Sequence, residues 1–194
     1  MMVIHPCPRH VHEAKHPTIH HDAWDAINWI LDRADSLGGD LSNIVVGGVS
    51  SGANLAATVT QKFSTLGKNG HGAVRLKGQV LALPWLMQPD AFPYHLFADA
   101  KKTSLVQCSD SLGLPTVRLE WLSSILEAAD ISDPLLNPPL ADDNVLRSLP
   151  KTAIIVAGGD PLRDEGLLYA TRLKELGYAR YLYAPETLDR TDSR

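Results

Sequence analysis

The apolar positions of the chain alternate between two kinds of spacing. Behind Asp22, whose short carboxylate suits a helix N-cap, Trp24, Ile27, Leu31 and Ala34 recur every three or four residues until Gly38-Gly39 stops the run. A short β-branched strand, Ile44–Val46, follows and ends in glycines. Small residues then open a second helix, with Leu55, Val59 and Phe63 on one side as far as Leu66. Gly67 to Gly72 reads as a loop, and Val80–Leu83 as a continuous apolar strand ended by Pro84. Residues 85 to 115 carry aromatics and turn residues without a period. Thr116 to Ala129 predicts a helix with Leu119, Leu122, Ile125 and Leu126 along one side, and Asp133 to Pro139 a proline-punctuated loop. Thr152–Ala157 is another unbroken apolar strand. Leu167, Ala170, Leu173 and Leu176 mark a last helix closed by Gly177, Tyr181 to Ala184 a last strand, and Glu186 to Arg194 a polar, frayed tail. Strands alternating with helices, each strand apolar throughout, predict a doubly wound α/β architecture with a parallel sheet covered on both faces.

Composition narrows the class. The 194 residues, 44% hydrophobic and 21% charged, suit one domain with a sizeable core. A net charge of −4 without a basic block gives nucleic acid or an anionic membrane nothing to bind. No apolar run is long enough for a membrane span, and the N-terminus lacks a signal pattern. Two cysteines, Cys7 and Cys108, do not make a disulfide framework, which points to a reducing, cytoplasmic compartment. Six of the eight histidines fall in residues 1 to 21. His12, His16 and His20, four apart, would form a metal-binding face on a helix. Pro17 opposes a helix there, so the stretch reads as a solvated histidine-rich loop, and neither metal nor cofactor is expected. Trp24 and Trp29 read as packing residues.

The strongest chemical signal is Gly48-Val49-Ser50-Ser51-Gly52, a Gly-x-Ser-x-Gly pattern with a strand before it and a helix after it. A serine at so tight a turn is held in a strained conformation with its hydroxyl thrust outward, and side chains two residues to either side would collide. Ser51 is out of register, because its minus-two neighbour is Val49. Asp160 also directly follows a strand. Active sites of parallel α/β sheets lie at the carboxyl ends of the strands, so Ser50 and Asp160 fall on one edge of the sheet. By itself Asp160 also reads as a helix-capping aspartate.

At these residues the chain resembles the α/β-hydrolase fold, a three-layer sandwich, and within it the hormone-sensitive-lipase-like and arylacetamide-deacetylase-like carboxylesterases. Gly48 to Ala56 resembles the family's Gly-Asp-Ser-Ala-Gly-Gly-Asn-Leu-Ala, and Asp160-Pro161-Leu162-Arg163-Asp164-Glu165-Gly166 its acid segment. Arg9, Glu13 and His16-Pro17 fall where the family has Tyr-Arg-Leu-Ala-Pro-Glu-His and a proline; Asp133-Pro134-Leu135 and Pro138-Pro139-Leu140 are similar to its loop before the acid strand. The resemblance implies Ser50 as the nucleophile on an ester carbonyl and Asp160 as the acid that orients a catalytic histidine. It implies the Ser51 backbone N–H as an oxyanion donor.

The family's upstream His-Gly-Gly-Gly loop has no counterpart here, and no histidine follows His95, where the family's catalytic histidine would come after the last strand. The expectation is therefore a partial domain over residues 1–194, truncated at both ends, lacking the first strands and the final histidine-bearing segment. Residues 85–130 would be a cap-like insertion. Its partner would be a small-molecule ester, turned over weakly or not at all. The alternative is a non-catalytic relative that binds a small apolar ligand. Trp85, Met87, Phe92, Tyr94 and Phe97 would line the pocket or simply pack the cap. The strand Ile44–Val46 would be left with an unpaired edge, favouring self-association.

Overall fold

Four apolar runs become strands: β1 (Ile44–Val49), β2 (Leu76–Ala82), β3 (Lys151–Ile155) and β4 (Arg180–Tyr183). The computed structural model describes residues 1–66, 74–111, 113–126 and 130–177, with the backbone of 180–183. All pairings are parallel, in the order β1-β2-β3-β4. Val49, Ala82 and Ile155 stand in register at the carboxyl ends of the first three strands. β1 is three residues longer than its β-branched run suggested: it continues through Gly47 and Gly48 on hydrogen bonds to β2. The expected loop Gly67 to Gly72, the end of the helix expected to reach Ala129 and the tail Glu186 to Arg194 lie outside the described residues.

The helices are α1 (Thr18–Arg33), α2 (Ser51–Leu66), α3 (Ser104–Gln107), α4 (Thr116–Ile125), α5 (Asp143–Arg147) and α6 (Arg163–Glu175). α1 begins five residues before the expected start, and Pro17, not Asp22, occupies the N-cap position. Proline has no N–H to leave unpaired, so it suits a helix start, where backbone N–H groups lack partners one turn back. The Asp22 carboxylate serves a different partner. It accepts from the Arg9 backbone N–H at 3.1 Å, Nε at 2.8 Å and Nη2 at 2.6 Å. Those bonds hold its pKa down to about 2. Trp24 packs edge-on against Phe63 at 6.4 Å as expected, but Trp29 is 49% exposed, with the Arg33 guanidinium 4.7 Å above its ring. Its packing is a surface cation–π contact, not a core one.

α1, α2 and α6 lie on one face of the sheet. Ile27 and Leu31 of α1 meet Val59 and Phe63 of α2, and Ile44 packs against the same cluster. Leu81, Ile154, Tyr169 and Leu173 form the larger core, joined by Trp85, Leu86, Met87, Phe92, Leu105 and Leu119 from the segment between β2 and α5. On the other face Val45, Val49 and Val80 are exposed. Of the two helical layers expected over the sheet, the described residues supply one. Among the described residues no helix is long and apolar enough to cross a membrane.

Candidate active site

Ser50 sits one residue past β1 and one before α2, with φ at +55°. Few residues other than glycine hold that left-handed conformation, and the surrounding hydrogen bonds fix it here. The Ser50 N–H donates to the Ala82 carbonyl at 3.0 Å, extending the β1–β2 ladder by one step. Its own carbonyl accepts from Ala53 at 3.0 Å, Trp85 at 3.2 Å and Asn54 at 3.3 Å, so α2 and the loop after β2 both fasten to the same peptide. The glycine argument holds on one side only. A Cβ at Gly48 would lie 2.1 Å from the Gly52 carbonyl oxygen, whereas a Cβ at Gly52 would meet nothing within 4 Å. The turn folds the backbone of Gly52 over Gly48, so only the earlier position must lack a side chain. Ser51, the first residue of α2, places its N–H in the opening turn of the helix, where N–H groups have no partner one turn back.

Asp160 follows β3 in a turn, its N–H donating to Ala157 at 3.2 Å. Its Oδ1 accepts from the Leu162 N–H at 2.9 Å just ahead of α6. Burial raises its pKa against the opposing pull of that bond. Ser50 follows β1 and Asp160 follows β3, so both lie beyond the carboxyl ends of strands separated by β2. Among the described residues no imidazole is hydrogen-bonded to Ser50 or Asp160. His16 Nε2 pairs with Asp133 Oδ2 at 2.8 Å and His20 Nε2 with Asn54 Oδ1 at 3.1 Å. The stretch expected as a solvated histidine-rich loop is partly packed: the His16 side chain is 8% exposed, and His20 lies in α1 against Asn54. Among the described residues no three histidine, cysteine or acidic side chains could hold a metal ion.

Four residues to which the sequence reading gave no role of their own frame the edge. Asn54 donates from Nδ2 to the carbonyls of Trp85 at 3.0 Å and Leu136 at 2.8 Å, tying α2 to two loops. Glu165 is buried, and its Oε2 accepts from the Met87 N–H at 2.6 Å; burial pushes its pKa well above the ordinary carboxylate value. Asp164 accepts from the Ser104 N–H at 2.7 Å, while Ser104 Oγ donates to Pro161 at 2.7 Å, lashing the acid loop to α3. The signal that could have found them was polar residues at helix positions facing the sheet, which periodicity alone discards. Of the aromatics expected to line a pocket, Phe92 packs against Tyr94 at 4.9 Å and Phe97 at 5.4 Å, and Trp85 and Met87 are buried in the core. These contacts are the ordinary packing alternative.

Comparison with known proteins agrees with this geometry. Residues 2–186 match the family model described as alpha/beta hydrolase fold. The chain is 32% identical over 169 residues to an arylesterase of Saccharolobus solfataricus, covering 85% of this chain and 49% of that one. It is 27% identical over 172 residues to the gibberellin receptor GID1B of Arabidopsis thaliana, covering 85% and 43%. Among solved structures, vibralactone cyclase superposes with a TM-score of 0.80 at 27% identity, covering 90% of this chain and 49% of that one. The chain thus spans about half the length of the curated relatives it matches.

Proposed function

The chain belongs to the α/β-hydrolase family, and on that premise we propose that it carries part of a serine carboxylesterase-type site, with Ser50 as nucleophile, Asp160 as orienting acid and the Ser51 N–H as an oxyanion donor. One observation carries the reading: a non-glycine residue at φ +55° between strand and helix, made possible by a Gly48 that nothing larger can replace. Such a turn costs about 1–3 kcal/mol in backbone strain, an expense that packing alone does not require. In the reaction, Ser50 Oγ attacks the ester carbonyl and expels the alcohol, leaving an acyl-serine that water hydrolyses. The Ser51 N–H stabilises the oxyanion, and Asp160 orients the imidazole that takes the Ser50 proton and stabilises the imidazolium so formed.

No histidine follows His95 in these 194 residues, and the described His16 and His20 are bound elsewhere. Loss of the base from a triad costs on the order of 10⁴–10⁶ in rate. We therefore assign the 194-residue polypeptide by itself little or no esterase turnover. An assay with an activated short-chain acyl ester tests this: turnover abolished by Ser50→Ala overturns the low-activity assignment. Labelling of Ser50 by a fluorophosphonate supports the nucleophile assignment. A second reading, a non-catalytic relative that binds a small apolar ligand, draws on the similarity to a gibberellin receptor. Ligand-induced stabilisation without labelling favours it.

The same proposal includes residues 85–130 as a cap and a reducing, cytoplasmic setting for the unpaired Cys7 and Cys108. It also includes self-association through the edge of β1, which among the described residues pairs only with β2.

A further inference from the structure

We propose that the N-terminal segment is held against the nucleophile helix by a proton-operated latch, in which neutral His20 docks residues 9–33 on α2 and protonation of His20 releases them. Asn54 fixes the chemistry of the contact. Both of its Nδ2 hydrogens are spent on the carbonyls of Trp85 and Leu136, so its Oδ1 is an acceptor only. His20 Nε2, 3.1 Å away, must then be the donor. In the neutral ring this leaves Nδ1 bearing the lone pair, and Nδ1 is buried without a hydrogen-bond partner. A proton arriving at Nδ1 puts charge on a ring whose burial costs more than the nearby Leu135 backbone returns.

The neighbours make that proton more costly. The His16 ring stands edge-on to His20 at 5.2 Å, with its side chain 8% exposed and its own Nδ1 buried and unpartnered. From the same helix His21, and from α2 Lys62, share with His20 the wall of a cavity of about 210 Å³. Asp133 is the acid that faces the pair from the loop before α5, but its Oδ2 is taken by His16 and its Oδ1 by the Leu135 N–H. Burial lowers the pKa of His20 and His16 adds to this; the Asn54 bond, Asp133 and the Leu135 backbone act the other way without reversing it. The sign follows. A histidine with a depressed pKa binds fewer protons folded than unfolded, so docking is at full strength above the unfolded value of about 6.5 and weakens as the pH falls below it. The latch ends close to Ser50, because the Trp85 whose carbonyl Asn54 holds donates its N–H to the Ser50 carbonyl. The inference does not depend on Ser50 turning over an ester.

The test follows amide hydrogen exchange in residues 18–33 of the full 194-residue chain from pH 7.5 to 5, corrected for intrinsic rates, beside His20→Gln. Glutamine keeps an N–H for Asn54 and cannot titrate. Opening of α1 in the unmodified chain should rise as the pH falls, by up to about tenfold for each unit by which the pKa of His20 lies below its unfolded value. His20→Gln should flatten that rise. An equal rise in both proteins overturns the latch. Should His20→Gln fail to fold, NMR titration of His20 in the unmodified chain decides. A midpoint below about 6.5 supports the latch and one at or above it overturns it.

Discussion

On one face of the sheet Leu81 and Ile154 are fully buried under α2 and α6, while on the other Val45, Val49 and Val80 stand exposed, although β2 contributes to both sets. The apolar character of the strands is alike on the two faces. What differs is the helical layer. The comparison separates two quantities that hydropathy merges: what a strand side chain can bury against, and what covers it among the described residues. It also explains why the polar groups that organise the candidate site, Asn54, Asp164 and Glu165, are all on the packed side. Only there does an unpaired polar atom cost enough to specify a geometry.

The largest expected contrast is between core truncations. Ile154→Ala should cost about 2–5 kcal/mol in denaturant unfolding, and Val80→Ala, at 37% exposure, less than about 1 kcal/mol. Equal losses would show the second face to be covered as well. A smaller effect tests the buried acid of the packed side. The folded pKa of Glu165 lies above its unfolded value, so its carboxyl is tolerated below that value and destabilises the fold as the pH rises through and beyond it. Glu165→Gln should remove a downward slope of up to about 1.4 kcal/mol per pH unit above roughly pH 4.3, read from melts across pH 4 to 7. A slope unchanged in the variant would place the pH dependence elsewhere. The smallest effect is on the bare face. Val45→Lys should change stability by no more than about 0.5 kcal/mol and reduce self-association on size-exclusion chromatography, since a lysine opposes strand pairing at an edge.

Much of the architecture was legible because it rests on local rules. The parallel order of strands, the helix from Ser51 to Leu66 and the Gly177 terminus, at φ +85°, follow from apolar runs and glycine placement. The tight strand-to-helix turn at Ser50 was legible for the same reason. What could not be read depends on partners distant in the chain. Asp22 looked like a cap because its neighbours are helical, but Arg9 claims it from 13 residues away. Trp29 looked like core, although its position on α1 lies well off the stripe of Trp24, Ile27 and Leu31, and its exposure follows from that angle. His20 looked like one of many solvated histidines. Only the loop that brings Leu136 to Asn54 turns it into a donor with a single possible tautomer.

The unequal glycines around Ser50 bear on how such sites diverge. A pattern that demands glycine on both sides treats two different situations as one. At position 48 the backbone of Gly52 excludes every side chain, so a lineage that substitutes it loses the turn. At position 52 the space is open, and the residue is free to drift toward alanine or a polar group at the head of the helix while the nucleophile keeps its posture. Relatives of this chain that have lost the second glycine are therefore still candidates for the chemistry, and those that have lost the first are not.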